Sequence, residues 1–249
     1  MIRLSIWVIV GLCVLLEISA DTRVNVTVYY ESLCPDSRRF INTQLYPALT
    51  GYNGTLADEV NLWLIPYGKS SNIYDKQIRG YNFSCHHGED ECHGNKIHAC
   101  GLKIVADGKE EPANRRALDF INCLMADVDR SQTPNVFPIT KCVLKTEGVN
   151  AAMVENCAKH VEGQKYLASY GFKTDELKPP LTSVPTITFN GKDESQEAQT
   201  NFVGTLCKYL PNKGSEVAKI CDATGTAARS VSASLWLPLI LSLFFAARV

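Results

Sequence analysis

Nine cysteines behind an N-terminal export signal constrain this chain more than any other feature. The sequence holds ten cysteines, and Cys13 lies inside residues 1–20. There Arg3 supplies a positive charge, Ile6 to Leu16 an apolar run, and Ile18-Ser19-Ala20 a small-residue cleavage site. The run is well short of the roughly 20 residues a membrane-spanning helix needs. It reads as a signal peptide that is removed. The mature chain then starts near Asp21, in an oxidising compartment where cysteines pair. Nine is an odd number, so one thiol lacks an internal partner. Cys34 stands apart from Cys85, Cys92, Cys100, Cys123, Cys142, Cys157, Cys207 and Cys221. Those eight are expected to form four disulfides, with on the order of 100 connectivities that sequence does not resolve. Short intervening stretches favour Cys142 with Cys157 and Cys207 with Cys221.

The remaining composition is ordinary for a folded domain: 45% apolar, 20% charged, net charge −1. Such a balance supports a core and gives no reason to expect a nucleic-acid or anionic-membrane partner. Three glycosylation sequons, at Asn25, Asn53 and Asn82, agree with export. The C-terminus is apolar from Leu235 to Ala247, after small polar residues from Asp222 to Ser234. That layout suits a glycolipid-anchor signal. A short tail anchor and a packed terminal helix are the other readings.

Residues 24–30 alternate and are rich in β-branched and aromatic residues, which predicts a strand. Cys34-Pro35-Asp36-Ser37 follows, and Phe40, Ile41, Leu45 and Leu49 then recur at helical spacing. Pro35 suits a first helical turn, so Cys34 is expected at a helix N-terminus. Residues 60–65 predict a second strand, parallel to the first. Residues 69–180 show helical periodicity, clearest over 113–129, and no strong strand. Val184-Pro185-Thr186-Ile187-Thr188-Phe189 returns to strand character and ends in an Asn190-Gly191 hairpin turn. A last helix is expected over 196–210. The order is that of an α/β, thioredoxin-like fold with a disulfide-rich helical insertion. The divisions are 1–20 signal peptide, 21–68 and 181–221 for the two parts of the thioredoxin-like domain, 69–180 for the insertion, and 222–249 for the tail.

Two motifs carry a resemblance. The first is Cys34-x-x-Ser37 at a strand-to-helix junction. The second is Cys85-His86-His87-Gly88-Glu89-Asp90-Glu91-Cys92-His93-Gly94-Asn95, followed by Cys100. It resembles the signature C-x-H-G-x-x-E-C-x-x-N of the gamma-interferon-inducible lysosomal thiol reductase family. The resemblance covers roughly residues 23–210. It implies lysosomal or secreted reduction of protein disulfides at acidic pH, in antigen handling and host defence. It also implies that Val184-Pro185-Thr186 is the cis-proline loop, with Pro185 set against the nucleophile. The family's reductases carry Cys-x-x-Cys, and here the second position is Ser37.

Cys34 has two readings, a small buried residue or a nucleophile. Its neighbours Pro35, Asp36, Ser37, Arg38 and Arg39 are polar or turn-forming, which argues for an exposed, reactive thiol. A thiolate at a helix N-terminus faces free N–H groups, and Arg38 and Arg39 add positive potential. The histidines and cysteines of residues 85–100 offer zinc-ligand types, but their spacings match no common zinc module. Structural disulfides are the stronger reading, with the histidines as surface or loop residues. No metal or organic cofactor is implied. The expected function is thiol–disulfide chemistry on disulfide-bonded protein substrates, with a small thiol as co-reductant. The alternative is a secreted or surface binding protein that has kept the fold. The mature secreted form is predicted to carry glycan at Asn53 and Asn82. Digestion with a glycan-cleaving amidase should lower its apparent mass, and unchanged mobility rejects that assignment.

Overall fold

The structure is a computed structural model that describes residues 22–146, 148–210 and 214–234. The signal peptide read over 1–20 and the apolar run from residue 235 onward lie outside the described residues.

Strand β1 (Val24–Tyr30) sits inside a four-stranded sheet of order β2-β1-β5-β6, with β2 (Val60–Pro66), β5 (Thr186–Phe189) and β6 (Lys192–Asp193). β1 and β2 run parallel in register from Val24↔Val60 to Tyr30↔Pro66. β5 runs antiparallel to β1, and Asn190 and Gly191 turn it into β6. Val24, Val26 and Val28 are buried while Asn25 is exposed, which is the alternation the sequence carries. Between β1 and β2 lie α1 (Pro35–Phe40), a wide π turn (Ile41–Leu45) and α2 (Tyr46–Thr50). Pro47 accounts for the wide turn. It has no N–H for the carbonyl four residues back, and its ring needs room there.

The insertion contains α3 (Glu89–Val105), α4 (Arg115–Asp127), α5 (Ile139–Val143), α6 (Ala151–Lys159) and α7 (Val161–Asp175). It also contains a hairpin that the periodicity does not reveal: β3 (Ser71–Asp75) pairs with β4 (Gly80–Ser84). Its residues are largely polar, and Ile73 is 76% exposed, so no apolar alternation marks the strands. The hairpin is held instead by α7, whose Gln164 accepts the Tyr81 amide at 3.0 Å. The expected last helix is broken into α8 (Ser195–Ala198) and α9 (Phe202–Tyr209). Asn201 starts the second piece by accepting from the Gly204 amide, which is N-cap chemistry. α10 (Ser215–Ser234) follows and takes in the whole of the small polar stretch from Asp222 to Ser234.

The disulfides are Cys85–Cys92, Cys100–Cys157, Cys123–Cys142 and Cys207–Cys221. The expected Cys142–Cys157 bridge is absent. Packing takes α6 to α3, so Cys157 meets Cys100, and Cys142 meets Cys123 on α4. Proximity in sequence is a poor guide when helices decide which side chains face each other.

The core spreads on both faces of the sheet. Phe40, Phe189 and Phe202 are fully buried, with ring centroids 5.9 Å (Phe40–Phe202) and 5.7 Å (Phe189–Phe202) apart. On the insertion side Phe120 of α4 lies across Gly101 of α3, where an added Cβ would stand 2.1 Å from the ring. Gly101→Ala is therefore expected to destabilise the fold by about 1–3 kcal/mol through overpacking, although alanine suits a helix better by about 1 kcal/mol. Urea unfolding without reductant measures this. An unchanged midpoint would mean that the Phe120 ring yields freely.

Candidate active site

Cys34 is the N-cap of α1, in extended conformation, with Pro35 at the first helical position. Its carbonyl accepts the first helical bond from the Arg38 amide at 3.0 Å. Among the described residues it is the free cysteine. It is only 5% exposed, contrary to the exposed thiol that its polar neighbours suggest. The cover comes from a distant segment. The Val184–Pro185 peptide is cis, and the Cys34 thiol lies 3.8 Å from the Val184 carbonyl oxygen, in reach of a weak S–H donation. That loop is pinned on both sides. Thr186 Oγ1 donates to the Ser183 carbonyl, and Gln199 Nε2 donates to the Pro185 carbonyl.

The polar neighbours turn away from the thiol. Arg38 donates to the Met125 and Ala126 carbonyls at the end of α4. Burial and then Arg130 hold its guanidinium below the usual range. Arg39 pairs with Asp36 at 3.0 Å, across one turn of α1. Ser37 is fully buried, and its Oγ accepts the Glu31 amide at 3.4 Å. The structure thus gathers Cys34, Ser37 and Pro185. The side chains of Asn25, Asn53 and Asn82 are at exposed positions elsewhere.

The cysteine-rich motif packs beneath the same corner. Gly88 (φ +84°) caps α3, and the Cys85–Cys92 bridge closes the loop over it. Glu91, in the first turn, reaches back to accept the amide of His87, the residue before the cap, at 2.9 Å. One turn on, Asn95 Oδ1 accepts the Ser32 amide at 2.9 Å, and Ser32 Oγ donates to the Glu91 carbonyl at 3.3 Å. Gly94 permits this approach, because a Cβ there would stand 2.4 Å from Ser32 Oγ. The spaced residues of the motif therefore grip residues 31–32, just ahead of Cys34.

Glu31 and Ser32 are the site residues that sequence reasoning missed. Glu31 is fully buried and accepts the Lys69 amide at 2.8 Å. Its carboxylate also lies 3.2 Å from His86 Nδ1 and 3.4 Å from His87 Nδ1. Glu91 is buried as well. Burial pushes its pKa up, partly opposed by the His87 amide bond and reinforced by the charge of Glu31. A glutamate directly after an apolar strand was the available signal, but burial of a charge is not legible in a sequence.

His98 corrects the expectation of surface histidines. It is fully buried on α3 and sits 3.1 Å from the Tyr30 hydroxyl. Burial drives its pKa from 6.5 to about 3, so the ring is neutral and Nδ1 shares one hydrogen bond with the Tyr30 hydroxyl. Folding thus expels a proton that the unfolded chain binds below about pH 6.5. Stability from this residue is complete above that value and falls as pH drops toward about 3. By about pH 5 the loss is about 2 kcal/mol, at about 1.4 kcal/mol per pH unit. His98→Asn retains a hydrogen-bonding group near Nδ1 but does not titrate. Its unfolding free energy should change between pH 7 and about pH 5 by about 2 kcal/mol less than that of the wild type. Equal changes in denaturant titrations at the two pH values would contradict a neutral, buried ring.

The family model for "Gamma interferon inducible lysosomal thiol reductase (GILT)" matches residues 25–161. "GILT-like protein 1" of Drosophila melanogaster is 39% identical over 94% of this chain and 93% of its own length. The "Gamma-interferon-inducible lysosomal thiol reductase-like protein" of Anopheles gambiae is 38% identical over 85% of this chain and 86% of its own. Among solved structures, the crystal structure of Chlamydia trachomatis DsbA is similar in fold, with TM-score 0.50 and 12% identity over 75% of this chain and 84% of that one. The fold is thioredoxin-like, with four disulfides and a helical insertion. By the matched span and by these relatives, the chain belongs to the gamma interferon inducible lysosomal thiol reductase family.

Proposed function

We propose that this protein reduces protein disulfides, with Cys34 as its attacking thiolate. The observation that carries this reading is the position of Cys34. Among the described residues it is the unbridged thiol, at the N-terminus of α1 and against the cis Val184–Pro185 loop. In the first step the Cys34 thiolate attacks one substrate sulfur. A mixed disulfide forms and one substrate thiolate leaves. In the second step a small thiolate attacks the Cys34 sulfur of the mixed disulfide, and the second substrate thiolate leaves. In the third a second small thiolate attacks the small-thiol sulfur now bonded to Cys34 and frees the Cys34 thiolate. The thiol is external because the Ser37 hydroxyl cannot exchange with sulfur. The net change is one substrate disulfide reduced to two thiols and two small thiols oxidised to one disulfide.

The setting we propose is the secretory pathway, with the mature protein secreted or lysosomal and active in host defence or lysosomal protein processing. Loss of the C-terminal tail to a glycolipid, near Asp222 to Gly225, is part of this reading. Among the described residues no helix is long and apolar enough to cross a membrane. A second reading has its own support. Cys34 is 5% exposed and Ser37 stands where a resolving thiol would be, which suits a binding protein that has kept the fold.

The mechanism separates the two readings. An oriented intramolecular thiol acts at effective molarities of about 10⁵ M or more in the best cases, far above any millimolar external thiol. Wild-type mixed disulfides should therefore persist until small thiol is added, and turnover should follow small-thiol concentration. Ser37→Cys should raise turnover at low small thiol by at least about tenfold and weaken that dependence. Cys34→Ser should abolish both trapping and turnover. Non-reducing gels after incubation with a disulfide-bonded substrate at acidic pH give the readout. Equal activity in wild type and Cys34→Ser would sink the mechanism and put the binding reading first.

A further inference from the structure

Beside the cysteine site, four side chains from two separate segments converge in a way that thiol chemistry does not use. Glu31 follows the end of β1. His86, His87 and Glu91 belong to the loop and first turn closed by the Cys85–Cys92 bridge. Both carboxylates are completely buried, whereas His86 and His87 are 46% and 28% exposed. Glu31 Oε2 lies 3.2 Å from His86 Nδ1 and 3.4 Å from His87 Nδ1, and Glu91 Oε2 lies 2.6 Å from His87 Nδ1.

We propose that Glu31, His86 and His87 form a binding site for a divalent transition metal, zinc by donor type, with Glu91 held behind His87. Three features support this. The first is spacing. Tetrahedral zinc with bonds of about 2.0–2.1 Å sets its ligand atoms about 3.3 Å apart. The distances from Glu31 Oε2 to the two imidazole nitrogens bracket that value. The donor atoms of Glu31, His86 and His87 all lie within 4.8 Å of one another.

The second feature is charge. The side chains of Glu31 and Glu91 are both fully buried, and a buried acidic group calls for a cationic partner. A divalent cation supplies one. The third feature is preorganisation. The Cys85–Cys92 bridge fixes the loop that carries the histidines, and Gly68 leaves room for Glu31, since a Cβ there would stand 2.3 Å from Glu31 Cγ. His86 and His87 already lie with ring centroids 4.3 Å apart.

Metal binding changes the local hydrogen bonds in a defined way. For the ion to take both Nδ1 atoms, any proton carried there leaves for solvent. His86 then carries its proton on Nε2, so the exposed Lys69, whose Nζ is 3.2 Å from that atom, must swing away. The ion would tie the end of β1 to the start of α3, three residues ahead of Cys34. The spacings weighed for zinc in the sequence covered residues 85–100, and Glu31 lies 55 residues before His86, outside that run.

Zinc titration calorimetry at neutral pH, on the glycosylated, disulfide-bonded protein, tests the site. Cobalt(II) absorption is the second measurement. Wild type and Cys34→Ser should each bind one equivalent of zinc. Their cobalt spectra should show no thiolate-to-metal band. His86→Ala and His87→Ala should each weaken zinc binding by at least about 100-fold, since even outer partners of a ligand are worth about 10–100-fold. Melting curves without metal verify that these variants fold, and half-exposed His86 is the safest of the four to change. Three results would overturn the proposal: no zinc binding by wild type, unchanged binding in both histidine variants, or binding that disappears in Cys34→Ser.

Discussion

The Ser32 amide must find an acceptor after β1 leaves the sheet, and Asn95 supplies it. Buried backbone donors are costly to leave unpaired. The chain between β1 and α1 has no ladder partner, so side chains from elsewhere take that place. Ser37 takes the Glu31 amide, Asn95 takes the Ser32 amide, and the Glu31 carboxylate takes the Lys69 amide. Cys34 hangs from this short segment. The insertion is thereby part of the active corner, because Asn95 and Glu91 belong to its longest helix. A Cβ on Gly94 would stand 2.4 Å from Ser32 Oγ, so the bare backbone there lets α3 lie against Ser32.

The same packing gives Ser37 a task of its own. Its hydroxyl is a buried acceptor for a backbone amide, and a thiol accepts hydrogen bonds more weakly. The serine therefore suits the corner structurally while removing the second sulfur. Arg38 shows a comparable division of labour. Its guanidinium satisfies two carbonyls at the end of α4, so it binds α1 to the insertion and leaves the thiol to the helix N-terminus and the Val184 carbonyl.

The disulfides hold the layer that this corner rests on. Cys100–Cys157 and Cys123–Cys142 link four helices of the insertion, and Cys207–Cys221 fastens α10 to α9. The loop of Cys100–Cys157 spans 57 residues, the longest of the four, so it restricts the unfolded chain most. Cys85–Cys92 spans only 7 residues and does little of that. Its effect is local, in fixing the turn that carries His86 and His87 to Glu31.

Sequence by itself determined the elements whose signal is local. The alternation of Val24, Val26 and Val28, Pro35 after Cys34, and Asn190-Gly191 after a β-branched run are read within a few residues. The thioredoxin-like order and the parallel pairing of β1 with β2 follow from them. Tertiary structure decided whatever depends on a partner far along the chain. Cys142 chose Cys123 over Cys157 because helix packing set the facing sides. Cys34 is covered by a loop 150 residues away, although its own neighbours are polar. The hairpin β3–β4 is largely polar and takes support from Gln164. His98 and Glu31 are buried because α3 lies against the end of β1. Burial, disulfide partner and ionisation state are sums over neighbours in space, and a one-dimensional pattern carries only the neighbours in sequence.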